Sequence, residues 1–478
     1  MRHERGFFVP VNPLIFREYD IRGHAESDLH PAALNELIRA VLTYFALQGH
    51  REFLLGQDCR QSSPRISQAI LALAAEYGMK VTNLGLVTSP AFYFASKHLK
   101  IEAGLMITAS HNPPPDNGLK VLLGSSTIYG SEIQKIRALA ATLPPSEVAA
   151  TTLEPVSQIT HLEYNIEDAY LSTLRHKLPL GPRRLKVVVD CGNGSAGPLT
   201  GAFLDTLDLD YIPLYFTPDG AFPNHEPDPV KPKNLVALRR RVLEEKADFG
   251  VAFDGDGDRI GVVDDRGDFV WGDRLMILFW REILPKYPGT LCLVEVKCSQ
   301  ALVDEVQRLG GRPEFCKTGH SLIKARMKET NAVFTGEMSG HIFFADEYYG
   351  FDDALYACGR LLRIMSNTTS KLSELLADAP QYHTTAEVRI PCPDTEKFNV
   401  VEMLRQEFAK HYEVITIDGV RVLFPHGWGL FRASNTGPVI VTRCEAKTAS
   451  DLDHYISLMS DAYAKFDPGT TIPWEMGT

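Results

Sequence analysis

The stretch LKVVVDCGNGSAG, residues 185–197, runs from a β-branched segment straight into Gly192, Gly194 and Gly197 in G-x-G-x-x-G spacing. Asp210 follows eighteen residues after the first of these glycines. Strand, glycine turn and helix in this order outline a dinucleotide-binding unit, and an NAD-dependent dehydrogenase is the reading it raises. One residue opposes it: Asp190 ends the strand and would set a negative charge where a pyrophosphate must approach. What the stretch does fix is the fold class, because the same strand-to-helix rhythm extends on both sides of it.

Short β-branched runs alternate with amphipathic stretches along most of the chain, the pattern of an α/β protein. Strands are predicted at 52–56, 103–108, 185–191, 249–253, 291–296 and 438–442. Helices are predicted at 31–48, 64–78, 299–309 and 354–367. Loops rich in Pro, Gly and Asn are expected at 110–118, 217–233 and 425–438. The segment 143–160 lacks an apolar stripe and reads as a linker, and further breaks fall near 264–274 and 378–383. At 478 residues the chain is too long for one core. A net charge of −11 argues against nucleic acid, whose binders carry a basic face, and leaves room for a small anionic substrate met by a few arginines. Eight cysteines without a C-x-x-C pair fit neither a zinc site nor a disulfide framework. With no signal peptide or membrane span expected, the reading is a cytoplasmic monomer.

Four loops carry chemistry. In VAFDGDGDRIGVVDD, Asp254, Asp256 and Asp258 alternate with glycines that let the backbone curl and three carboxylates converge, which calls for a hard divalent cation. The EF-hand pattern fails, since Arg259 stands where Gly is needed and Asp265 where Glu is needed. In ITASHNPPPDNGLK (107–120), Ser110 adjoins His111, three prolines fix the loop, and Asn117-Gly118 favours a turn. A Ser-His hydrolase is disfavoured, because adjacent side chains seldom face each other and no G-x-S-x-G elbow exists. Ser110 can instead carry a phosphoryl group facing a metal at the aspartates. In TGEMSGHIFF, Glu337, Ser339 and His341 alternate, which sets them on one side of an extended loop and suits sugar hydroxyls; a plain strand edge reads the same way. In FRASNTGPVIV, Arg432, Ser434, Asn435 and Thr436 suit a phosphate cradle or a polar turn.

These loops together resemble the α-D-phosphohexomutases. Further matches are FREYDIRG (16–23), GQDCRQSSP (56–64), PDGAFPNHEPDP (218–229), VEVKCSQ (294–300), KTGHSLIK (317–324) and YGFDDA (349–354). The resemblance implies four domains around a central cleft, the first three α/β with a shared mixed-sheet topology and the fourth a smaller α+β phosphate-binding lid. The corresponding boundaries are 1–158, 159–268, 269–380 and 381–478. By the same resemblance Ser110 is the phosphoserine and a metal contact, and Asp254, Asp256 and Asp258 hold Mg²⁺. Glu337 and Ser339 contact the sugar, while Arg432, Ser434, Asn435 and Thr436 clamp the distal phosphate. Tyr19, Arg22, Lys120, Arg259, Lys297, His320 and His341 fall on further active-site positions, with Arg22 among the catalytic ones. The implied reaction interconverts hexose 1- and 6-phosphates of mannose or glucose through a hexose 1,6-bisphosphate. Lys120 or His341 would serve as general base, and Lys120 would need a pKa lowered by cations such as Arg22. The motif GEMSGH resembles the dual mannose/glucose enzymes; a phosphoglucosamine mutase is the alternative. His320 is also placed to cap the helix after KTGHS.

Overall fold

A computed structural model describes residues 11–124, 126–143, 161–435 and 437–477. The chain divides into two compact bodies: one runs through Asp268 and includes Phe351–Thr369, the other holds Phe269–Gly350 and Ser370 onward. Of the predicted linker at 143–160, residues 144–160 lie outside the described residues.

In the first body, β1 (Ile21–His24), β2 (Glu52–Gln57), β3 (Lys80–Leu86), β4 (Ala103–Ile107), β5 (Asp116–Leu123), β6 (Ser126–Thr127) and β7 (His161–Glu163) form one mixed sheet, ordered β1-β5-β4-β2-β3-β7 with β6 beside β5. β2 pairs in parallel with both β3 and β4, whereas β4 and β5 are antiparallel. The inner strands are buried on both faces, which is why they read as unbroken apolar runs. Phe53, Leu55, Leu105 and Ile107 join Leu37, Ile38, Val41 and Phe45 of helix Pro31–Leu47 in one core. Each such side chain contributes about 1.5–3 kcal/mol by leaving water.

The opening stretch builds β8 (Lys186–Asp190), which lies between β9 (Asp210–Leu214) and β10 (Phe249–Phe253); β10 then pairs antiparallel with β11 (Ile260–Asp264). The three glycines after β8 answer to packing. Gly192 adopts φ +53°, a Cβ on Gly194 would come within 2.9 Å of the Gly255 carbonyl, and one on Gly197 would lie 1.8 Å from the Phe216 carbonyl. Asp190 is fully buried, accepts from the Gly192 amide and faces His225. The fingerprint is therefore a close-approach device that seats the Gly255 loop, and nothing here supports the dehydrogenase reading.

The second body opens with β12 (Phe269–Val270) and helix Gly272–Ile283, then pairs β13 (Leu291–Glu295) in parallel with β14 (Arg312–Cys316). β15 (Phe334–Gly336) and β16 (Ile342–Phe344) form a tight antiparallel pair. Downstream, β17 (His383–Thr384), β18 (Val388–Pro391), β19 (Glu413–Ile415), β20 (Val420–Phe424), β21 (Gly427–Ala433) and β22 (Val439–Ala446) make an antiparallel sheet packed by helices Lys397–Phe408 and Ala449–Ala464. The expected loop 425–438 thus contains strand β21, because Trp428, Leu430 and Phe431 bury and outweigh the flanking turn residues. Arg421 fastens this sheet to the stretch after β13: its guanidinium sits 3.7 Å from the Trp428 ring and 4.5 Å from that of Phe315, and donates to the carbonyls of Val296 and Cys298. Burial pushes its pKa down to about 9.

All eight cysteines are free. Among the described residues no helix is long and apolar enough to cross a membrane.

Candidate active site

In the first body the site grows from the β4–β5 hairpin. β4 ends at Ile107, the chain turns through Thr108–Pro115, and β5 returns with Lys120 opposite Met106. The Asn117-Gly118 pair does not turn; both are strand residues paired with β1. A Cβ on Gly118 would lie 2.3 Å from the Ile21 carbonyl, so the glycine permits close strand approach, and the buried Asn117 side chain donates from Nδ2 to the hydroxyls of Ser62 and Ser63. Ser110 adopts φ +50°, a left-handed conformation rare outside glycine. This twist brings the His111 Nδ1 to 3.0 Å from Ser110 Oγ, so the neighbours do meet, against the expectation for adjacent residues.

Ser110 Oγ also donates to Asp254 Oδ2 at 2.7 Å. Asp254, Asp256 and Asp258 are fully buried, and one oxygen from each lies within 4.8 Å of the others. Glycines at 255 and 257 allow this curl, Gly257 at φ +77°. Desolvation first, then the Asp258 and Asp256 charges, hold the Asp254 carboxyl well above its ordinary pKa. Lys120 Nζ donates to Asp256 Oδ2 at 2.7 Å, Asp258 Oδ2 at 2.6 Å and Ser89 Oγ at 3.1 Å. Burial would lower its pKa, but the two carboxylates outweigh burial and hold it well above the ordinary value. The expectation of a lysine lowered by cations is therefore not met: Lys120 faces carboxylates, and Arg22 binds elsewhere.

Three buried carboxylates crowd together around Lys120, and Asp256 Oδ1 is buried with no hydrogen-bond partner among the described residues. Both observations fit a divalent cation with oxygen ligands. Arg22 donates to Asn112 Oδ1 at 2.6 Å and Asp20 Oδ2 at 2.5 Å, bracing the serine loop. Tyr19 is buried nearby in sequence, and the Arg259 amide donates to Asp254 Oδ1 at 3.1 Å.

Two contributors escaped the sequence reading. Ser89, the first residue of helix Ser89–Leu99 after the Thr88 cap, donates to Asp256 Oδ2 at 2.6 Å and its amide to the Asp256 carbonyl. Arg60 reaches four carbonyls of the serine loop. For Arg60 the only signal available was a charged residue inside a motif with no task, and Ser89 lies in none of the motifs above.

In the second body, residues 337–341 form a turn rather than an extended run. The Gly340 amide donates to the Glu337 carbonyl and Gly340 adopts φ +89°. The turn still gathers the expected side chains: Ser339 Oγ is 3.5 Å and His341 Nε2 4.0 Å from Glu337 Oε2, while Glu337 Oε1 accepts from the Gly319 amide. His320 stacks on His341 at 5.3 Å; the helix cap is Gly319 instead. Lys297 Nζ donates to Glu387 Oε2 at 3.0 Å, and Arg443 donates to the Lys297 carbonyl. Burial would raise Glu387, yet Lys297 and Arg389 hold it down at about 2. Arg432 Nε donates to Asp418 Oδ2 at 2.6 Å. Ser434 and Asn435 follow at the β21–β22 turn, braced by Lys397, whose Nζ donates to the carbonyls of Ser434 and Gly437. Thr436 lies outside the described residues.

His225 Nε2 lies 3.1 Å from Asp190 Oδ2. Burial lowers its pKa, but bonding to Asp190 more than compensates and the net shift is upward. A histidine raised on folding stabilises fully below its unfolded pKa of about 6.5 and loses that contribution as pH rises through the folded value. The melting temperature should therefore fall more on His225→Gln at pH 5.5 than at pH 9, as measured by calorimetry.

Family models for phosphoglucomutase/phosphomannomutase match the chain in four pieces: α/β/α domain I at 13–145, domain II at 168–267, domain III at 271–382 and the C-terminal domain at 387–461. A phosphomannomutase/phosphoglucomutase of Pseudomonas putida is 39% identical over 461 residues, spanning 96% of this chain and 97% of that one. A phosphoglucomutase of Neisseria gonorrhoeae is 40% identical over 442 residues, or 92% and 94% of the two chains. Among solved structures, a phosphoglucomutase/phosphomannomutase family protein from Burkholderia thailandensis superposes with a TM-score of 0.88 at 35% identity, covering 97% of this chain and all of the other.

Proposed function

The chain belongs to the phosphoglucomutase/phosphomannomutase family, and from that premise we propose that it interconverts the 1- and 6-phosphates of mannose and glucose, with Ser110 as the phosphoryl carrier. The observation that carries this reading is Ser110 Oγ at 2.7 Å from one of three converging buried aspartates. A phosphoserine would present a dianion to that cluster, which calls for a cation to balance the charge. Mg²⁺ held by Asp254, Asp256 and Asp258 would neutralise charge on the transferring phosphoryl oxygens.

In the proposed step a sugar hydroxyl oxygen bonds to phosphorus as the bond from phosphorus to Ser110 Oγ breaks. The hydroxyl proton leaves to a base and Ser110 Oγ regains a proton. The hexose 1,6-bisphosphate formed returns its other phosphoryl group to Ser110, so no net phosphate is consumed. Lys120 and His341 are the proposed proton-handling groups, and Arg22 holds Asn112 so that the serine loop keeps its place. Lys297 and His320 would meet the sugar phosphate along with Tyr19 and Arg259. Glu337 and Ser339 would bind hydroxyls, and Arg432, Ser434, Asn435 and Thr436 the distal phosphate.

A coupled assay with glucose 1-phosphate, mannose 1-phosphate and glucosamine 1-phosphate tests the substrate class. Turnover of the first two is expected, and turnover of the glucosamine ester alone would replace this reading with the aminosugar one. Lys120→Met should lower kcat by about 10²–10⁴-fold, the range for a lost proton-transfer group. His341→Gln with an equal loss, against a near-normal Lys120→Met, would move the proton-handling role to the histidine.

A further inference from the structure

The motif GQDCRQSSP has no task in the chemistry above, yet its Asp58 and Arg60 are 2% and 1% exposed. Arg60 spends its planar fork on one loop. Nη2 donates to the Ser110 carbonyl at 2.7 Å and the Asn112 carbonyl at 2.6 Å, while Nη1 donates to Pro113 at 2.7 Å and Asp116 at 2.9 Å. The guanidinium packs against the Phe222 ring at 5.2 Å and pairs with Asp58 at 3.2 Å. Asp58 in turn accepts from the Arg60 amide, from Ser63 Oγ and from the Thr108 hydroxyl. Thr108 Oγ1 then accepts the Ser110 amide at 2.8 Å.

Both backbone groups of Ser110 are thus tied to one ion pair, the carbonyl directly by Arg60 and the amide through Thr108. From the other side Gly255 leaves no room for slippage, since a Cβ there would lie 2.4 Å from the Ser110 carbonyl. A left-handed non-glycine residue is costly and persists only where its surroundings over-determine it. Relaxing Ser110 to an ordinary φ would swing its Oγ away from Asp254. We propose that the Asp58–Arg60 couple is a positioning device that holds Ser110 in this left-handed backbone and so aims the phosphoryl donor. The inference rests on Ser110 being the phosphoryl carrier.

Arg60→Lys keeps the charge but can serve only part of the four-carbonyl set. Thr108→Val is close in shape and removes both the acceptor of the Ser110 amide and the hydroxyl donor to Asp58, so it also covers the case of a lysine variant that fails to fold. Each variant is charged with glucose 1,6-bisphosphate, the phosphoryl content of Ser110 is counted by intact mass, and single-turnover transfer to glucose 1-phosphate is timed per phosphorylated serine. A misaligned donor should transfer about 100-fold more slowly in Arg60→Lys, with KM for glucose 1-phosphate within about twofold of wild type. About tenfold is expected for Thr108→Val, which unties the Ser110 amide from Asp58 but leaves the four Arg60 bonds in place. A role confined to stability would lower the melting temperature and leave the rate per phosphoserine at the wild-type value, and that result in the folded variants overturns the inference. Ser110→Ala in the same series separates the two claims: full mutase activity there would remove the phosphoserine reading beneath it.

Discussion

Ser110→Ala lowers turnover of glucose 1-phosphate by about 10⁴-fold or more, the scale of losing a nucleophile whose partners work as a unit. The substitution removes the atom bonded to Asp254 and His111 while leaving the Thr108 and Arg60 contacts, which use only the backbone. Stability should change little, so the loss cannot be assigned to unfolding. Intact mass should show a phosphoryl adduct on wild type after incubation with hexose bisphosphate and none on the variant. Retention of full activity would require another carrier.

Chelation gives the second large effect. With EDTA, turnover should fall by about 10³-fold or more and return on adding Mg²⁺, because a metal held by the three aspartates would supply several kcal/mol of charge stabilisation. The same ion should raise the melting temperature, since a ligand at about 100 times its Kd adds about 2.7 kcal/mol to stability. Asp254→Asn sharpens the test. Lys120 keeps its bonds to Asp256 and Asp258, and the asparagine oxygen can still accept from the amides of Asp258 and Arg259. One negative charge leaves a repelling cluster, so the metal-free variant should melt no lower than metal-free wild type and should gain much less from Mg²⁺. A variant whose melting temperature still rises as in wild type would place the cation elsewhere. The contrasting Asp256→Asn leaves an oxygen to accept from Lys120 and Ser89 but removes the negative charge that Lys120 pairs with, and should be less stable with or without metal.

Much of this was legible because the informative residues were local. Alternating Asp and Gly at 254–258 betray converging carboxylates, and the apolar runs at 52–56 and 249–253 are strands for the reason that both faces are covered. Spatial neighbours far apart in sequence were not legible. Nothing at position 60 says that its guanidinium ends on carbonyls 50 to 56 residues away, and nothing at 89 points to Asp256. Turn chemistry misled twice for one physical reason. Gly118 and the glycines of 192–197 relieve close backbone approaches, which a sequence cannot distinguish from turns or nucleotide cradles. Lys120 was misjudged in sign because its neighbours come from a loop more than a hundred residues downstream.

The return of Phe351–Thr369 to the first body imposes an order on synthesis. Helix Ala354–Ser366 supplies Asp353 at its cap to the Tyr170 hydroxyl, Ser366 to the Gly181 amide, and Gly359 where a Cβ would strike Leu178 at 2.4 Å. A ribosome must therefore deliver Phe269–Gly350, a large share of the second body, before the first can close its own core. The nascent chain waits with the Leu178 face uncovered, and a gene cut after Asp268 would leave that face permanently without its helix.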